Sequence, residues 1–336
     1  MSNRILGKLL LTTTVVAVAA SLPASVYCAE ASRFAAKELA PVASLAEPAE
    51  QELFASPTRR DSIGRIVAPV IINGEGPFRF VVDTGATHSV MSSALAQRLN
   101  LLTVPQGEVL LSGVTGSASV ATVEVERLQA GDLLLHNRRM PVMDAMLQGA
   151  DGVLGMQGLE DKRIVVDFRR GRLQILESRG SYVRSGYVTV PVELAFNQLL
   201  LVDAYIGGVR VKAIIDTGAE RTLGNRALRD ALGVSSGFFY SPQTTGVLGV
   251  TPQIQNGDMA LAPRIQIGKL QLNQVGVTFG DMHVFEVWGF HEQPALLVGM
   301  DVLGVLDSLV IDYGRKRIQL RPRTNVLRPG SRLMVR

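Results

Sequence analysis

Val81-Val82-Asp83-Thr84-Gly85-Ala86 returns 133 residues later as Ile214-Ile215-Asp216-Thr217-Gly218-Ala219. The same spacing holds without a gap on both sides. Gly74 falls on Gly207, Ser89 on Thr222, Ser92 on Asn225, Leu95 on Leu228 and Leu99 on Leu232. In each copy two β-branched residues favour extended backbone, and an Asp follows where the strand ends. The Gly then permits a turn or a close approach that a Cβ would forbid. A single Asp-Thr-Gly is most simply an Asx-type turn closing a hairpin. At average composition the tripeptide arises by chance about 0.1 times in a chain this long. Two copies with matched flanks therefore mark an internal duplication.

A second pair of blocks supports this. Gly152-Val153-Leu154-Gly155-Met156 answers Leu296-Leu297-Val298-Gly299-Met300, with Leu159 and Leu303 three residues on. Val166-Asp167-Phe168 then answers Ile311-Asp312-Tyr313, and the offset has grown to 145. The extra residues of the second copy are expected in a surface loop. Between the landmarks the pattern is β. Asn73-Gly74-Glu75-Gly76 and Gly207-Gly208 read as hairpin turns, and Val109–Val125 alternates around Gly113 and Gly116. Ser92 and Asn225 are N-cap residues, each ahead of a short Leu-spaced helix that Asn100 or Gly233 should stop. The expectation is all-β: two small lobes, at 63–180 and 185–322, each with one short helix.

Duplicated modules can pack about a pseudo-two-fold axis that brings equivalent residues face to face. If the loops of Asp83 and Asp216 meet there, two carboxyl groups lie too close for both to ionise, so they share one proton. One can then take a proton from a water between them while the other polarises a substrate carbonyl.

At these residues the chain resembles the retroviral-like (retropepsin-like) aspartic proteases of bacteria. Each lobe of that family carries Asp-Thr-Gly after two apolar residues, and later an apolar-apolar-Gly block matched here by Leu154-Gly155 and Val298-Gly299. Ala86 and Ala219 fit the retroviral-like form, and the single chain carries both half-sites. The resemblance implies a two-lobed acid-protease fold, each lobe a small closed β-barrel related to the other by pseudo-two-fold symmetry. It implies an aspartic endopeptidase acting through water activated between Asp83 and Asp216. Thr84 and Thr217 would brace the loops, and Gly85 and Gly218 would allow their approach. The hairpins at Gly113–Gly116 and Gly246–Gly249 become candidate flaps, with Gly116, Gly246, Thr87 and Glu220 as candidate substrate contacts. The alternative is a catalytically inactive, peptide-binding scaffold in the cell envelope.

The remaining sequence narrows the classes. Net charge is +4, which is not the footprint of a nucleic-acid binder. One Cys and four scattered His give no metal-ligand spacing, so no metal or other cofactor is expected. Arg4 and Lys8, followed by the apolar run Leu9–Ala20, read as a signal peptide over 1–31. The run is too short to span a bilayer. Export to the periplasm or medium, with no stable membrane insertion after processing, follows from that reading. Residues 32–62, rich in Ala, Glu and Pro, read as a linker or pro-segment without strands, and 323–336 as a basic tail. A polypeptide substrate and a monomer whose lobes pair within the chain complete the expectation.

Overall fold

The computed structural model describes residues 52–57, 59–60, 64–130, 133–143, 149–180, 185–196, 198–233, 243–249, 251 and 253–323. The predicted signal peptide, much of the predicted linker and residues 324–336 of the tail lie outside the described residues. The first lobe contains β1 (Glu52–Pro57), β2 (Arg59–Arg60), β3 (Ile66–Ile72), β4 (Glu75–Val82), β5 (Val90–Ser92), α1 (Ser93–Arg98), β6 (Val109–Gly113), β7 (Gly116–Val120), β8 (Thr122–Ala130), β9 (Leu133–Met143), β10 (Gly152–Leu154), β11 (Lys162–Asp167) and β12 (Arg172–Glu177). Alternation of apolar and polar residues drives these strands, and β3 and β4 turn back through Asn73 and Gly74 at positive φ. The ladder runs β3-β4-β10-β5-β9-β8, and β8 pairs with β3 again, which closes a six-stranded barrel. Phe80, Leu128 and Met140 fill it.

The second lobe repeats the plan with β13 (Val188–Pro191), β14 (Glu193–Ala195), β15 (Leu199–Ile206), β16 (Val209–Ile215), β17 (Leu223–Gly224), α2 (Arg226–Ala231), β18 (Gln243–Val247), β19 (Gln255–Leu261), β20 (Ile265–Ile267), β21 (Leu270–Leu272), β22 (Gly276–Phe279), α3 (His283–Val287), β23 (Ala295–Val298), α4 (Met300–Leu303), β24 (Leu306–Asp312) and β25 (Arg317–Pro322). Here the strand equivalent to β8 is bent between β19 and β20 by Ala262-Pro263-Arg264, where Pro263 has no N–H to give a ladder. The ring is completed through that bend, with β20 on β15 and β19 on β22.

α1 and α2 start as the caps predict. Ser92 Oγ accepts from the Leu95 N–H at 3.1 Å and Asn225 Oδ1 from the Leu228 N–H at 2.9 Å. Asn100 and Gly233, just past them, have positive φ. The expectation of one helix per lobe is corrected in the second, which adds α3 and α4. α3 is the extra stretch of the second copy, folded as a helix and packed on β6 of the other lobe.

The absence of strands predicted for residues 32–62 is also corrected. β1 pairs antiparallel with β12 and β2 with β3. β1 is the counterpart of β13, so the six-stranded sheet β1-β12-β11-β24-β25-β13 is symmetric about its centre. There β11 and β24 pair antiparallel, Ile164 opposite Ile311 and Val166 opposite Leu309. The lobes are thus joined by main-chain hydrogen bonds as well as by apolar contact. One apolar core runs through both, linking Phe80, Leu173, Ile311 and Phe279.

Candidate active site

Each Asp leaves the sheet at a parallel contact. β10 lies parallel to β4 with Leu154 opposite Val82, and the Asp83 N–H donates to the Leu154 carbonyl at 3.1 Å. β23 lies parallel to β16 with Val298 opposite Ile215, and the Asp216 N–H donates to the Val298 carbonyl at 3.0 Å. The chain after the second block secures each loop from outside. Met156 N–H donates to Ala86 O at 3.0 Å, and Met300 N–H to Ala219 O at 2.8 Å. These bonds explain why the two sequence blocks travel together.

The loops meet across the pseudo-two-fold axis. Thr84 Oγ1 donates to the Ile215 carbonyl at 2.7 Å and accepts from the Thr217 N–H at 3.0 Å. Thr217 Oγ1 does the reverse, donating to Val82 O at 2.8 Å and accepting from the Thr84 N–H at 3.1 Å. Both Thr are buried, so these four bonds satisfy every polar group they touch in a dry interior. A Cβ on Gly85 would sit 2.6 Å from Asp216 Cγ, and one on Gly218 would be closer still to Asp83 Cγ. Only glycine lets each loop pass the opposite carboxyl.

The carboxyls are brought together and hydrogen-bond to each other. Gly85 N–H donates to Asp83 Oδ1 at 2.8 Å, and Gly218 and Ala219 N–H donate to Asp216 Oδ1 at 2.8 and 3.1 Å. Burial raises the proton affinity of both groups above the ordinary carboxylate range. Like-charge repulsion within the pair adds to the burial. Such a pair holds one proton over a broad pH range, and its titration belongs to the pair.

This chain matches the aspartyl protease family over residues 68–157 and 202–302, one match in each lobe and together more than half the chain. The chain belongs to the aspartyl protease family. The two matched regions carry Asp83 and Asp216 in turn, in agreement with the retropepsin-like resemblance of the sequence. A search of curated proteins finds no significant match.

In this protease frame the other predicted contacts separate. Thr87 is half-buried and its carbonyl accepts from the Gln157 N–H at 3.1 Å, whereas Glu220 is exposed and its carbonyl accepts from the Asp301 N–H at 3.0 Å. Their main chains thus tie the loops to the second block. Gly116 pairs with Gly113 at the end of the first flap, which is β6 and β7. Gly246 does not sit at a tip. It lies within β18 opposite Asn256, and the second flap, β18 and β19, reaches its end near Thr251. The flap tips touch there: Thr115 and Thr251 hydroxyls are 2.8 Å apart, both buried. The signal for the correct register is in the sequence, because Gly113-Val114-Thr115 recurs as Gly249-Val250-Thr251 at a spacing of 136 rather than 133. Residues that sequence reasoning missed are Thr115 and Thr251, whose shared Gly-Val-Thr was hidden by the changed spacing, and Ser117 and His283, which lie in segments with no shared motif.

Proposed function

We propose that this protein is an aspartic endopeptidase that cleaves extended polypeptides with water activated by Asp83 and Asp216. The observation carrying the proposal is the braced carboxyl pair: buried Asp216 and half-buried Asp83 brought together by the crossed threonines, with two flaps whose tips meet. With Asp83 ionised and Asp216 protonated, Asp83 takes a proton from water as its oxygen attacks the amide carbonyl. Asp216 gives its proton to the carbonyl oxygen, which leaves a neutral gem-diol. On collapse, Asp83 passes its proton to the leaving nitrogen and the gem-diol returns one to Asp216. Both carboxyls regain their starting states, and the C–N bond is replaced by an acid and an amine. Because one chain supplies both loops, a monomer suffices. The apolar run near the N-terminus supports export.

The test is cleavage of a peptide library by the full chain. Asp83→Asn and Asp216→Asn are each expected to lower kcat by at least about 10³-fold, and the double variant to be no worse, because the pair acts as a unit. Substantial cleavage by either single variant would overturn the shared-proton mechanism. Peptide binding without any cleavage by wild type would instead support the scaffold reading.

A further inference from the structure

The two flaps are not mounted alike. β19 of the second flap pairs with β22 and so continues into the barrel ladder. β6 and β7 of the first flap pair only with each other. An isolated two-stranded ribbon is marginal by itself, so the first flap is held down by what it rests on: Leu111 lies against Val90, Met143 and Val153 of its own lobe, and the tip rests on the other lobe. Val114 at its tip packs against the apolar cluster formed by Met282, Phe285 and Leu297, and Thr115 meets Thr251. Beside the tip, Ser117 Oγ lies 2.9 Å from His283 Nε2 and 2.7 Å from Ser112 Oγ, which ties both strands of the ribbon to the start of α3. His283 is held in turn: its N–H donates to Gln255 Oε1 at 3.3 Å, and Glu286 Oε2 is 3.8 Å from Nδ1. The stretch carrying α3 is longer in sequence than its counterpart in the first lobe, 15 residues between β22 and β23 against 8 between β9 and β10.

We infer that the first flap is the moving lid of the cleft and that His283 is its latch, a positioning residue acting through Ser117. The inference rests on the peptidase reading only for what passes beneath the lid. The second flap is the fixed jaw. Lifting the first breaks two side-chain hydrogen bonds and withdraws Val114 and Leu111 from their apolar contacts, with no ladder bond lost to the barrel. Closing restores them and excludes water from the carboxyl pair.

Amide hydrogen exchange on the ligand-free full chain tests this without requiring cleavage. Residues 109–120 are expected to exchange faster than 255–261. His283→Ala and Ser117→Ala should each speed exchange in 109–120 by about three- to tenfold, the range expected for one modest hydrogen bond, and leave 255–261 unchanged. The double variant should match Ser117→Ala, which already removes both bonds that Ser117 makes. His283→Gln, whose amide can still donate to Ser117, should restore the wild-type rate. Trp288, the one tryptophan of the chain, packs against the same cluster as Val114, so its quenching by acrylamide should rise in the Ala variants alone. With a cleavable peptide, KM should rise while kcat stays within about twofold. Faster exchange in 255–261 than in 109–120, or an His283→Ala pattern identical to wild type, would overturn the inference. A chain inert toward peptides but showing the expected exchange would refute the peptidase reading and support the latch.

Discussion

Asp216 is the more deeply buried of the two acids, 7% exposed, and its raised proton affinity has a consequence for stability. A carboxyl whose affinity is higher in the folded chain binds more proton there than in the unfolded chain. Its contribution is therefore present below the unfolded value near 3.8 and is lost as pH rises through the folded value. Asp216→Asn removes this dependence while keeping the shape of the group. Relative to wild type, the variant should gain stability steadily as pH is raised from about 4 toward neutrality, because the Asn never has to ionise in a buried site. Calorimetric Tm values across that range check this, and a gap between the two chains that does not widen with pH would contradict it.

Between the loops, the element that matters is the crossed pair of threonines. Thr84→Val keeps the volume and removes the hydroxyl, which strands the Ile215 carbonyl and the Thr217 N–H in a buried interior. Two unpaired buried groups at roughly 1–3 kcal/mol each predict a loss of about 2–6 kcal/mol by denaturant unfolding. Thr84→Ser, which keeps the hydroxyl, should recover most of it. A similar loss in both variants would show that the methyl, and not the bond, matters. Motif and capping chemistry at this scale were readable because they are local: Ser92 and Asn225 cap their helices through residues three positions away. β1 was not readable. Its segment lacks a strand-like side-chain pattern, and it is held by backbone pairing to β12, a partner more than a hundred residues away.

Across the whole molecule, the joint between lobes contains a charge pair. Arg163 and Asp312, both essentially without exposure, meet at 3.1 Å on the paired strands β11 and β24. Ser178 Oγ donates to the second Asp312 oxygen, and Arg163 also donates to the Arg179 carbonyl. Removing one partner leaves an uncompensated buried charge. Asp312→Ala should cost about 3–5 kcal/mol, whereas Arg163→Met with Asp312→Leu should recover much of that. Urea unfolding of the single and double variants measures the difference, and an Asp312→Ala chain as stable as wild type would remove the pair from the account of lobe joining. The aspartate itself lies in a sequence block repeated in both copies, but Asp167 of the first copy pairs with the exposed Arg170 instead. The duplicated sequence gives no sign of which aspartate is buried.

The sequence by itself determined the duplication, the two Asp-Thr-Gly loops, the apolar-Gly blocks that support them, and the caps of α1 and α2. Each of these depends on residue types at fixed short spacing, or on repetition, and both survive without coordinates. Tertiary structure alone decided the shared six-stranded sheet, the meeting of Thr115 with Thr251, the hold of α3 on the first flap and the raised proton affinities of Asp83 and Asp216. Those features depend on which surfaces face one another across the pseudo-two-fold axis. The repeat makes the two halves equal in sequence pattern. Small insertions, a bent strand and unequal burial then make them different, and such differences act through space rather than along the chain.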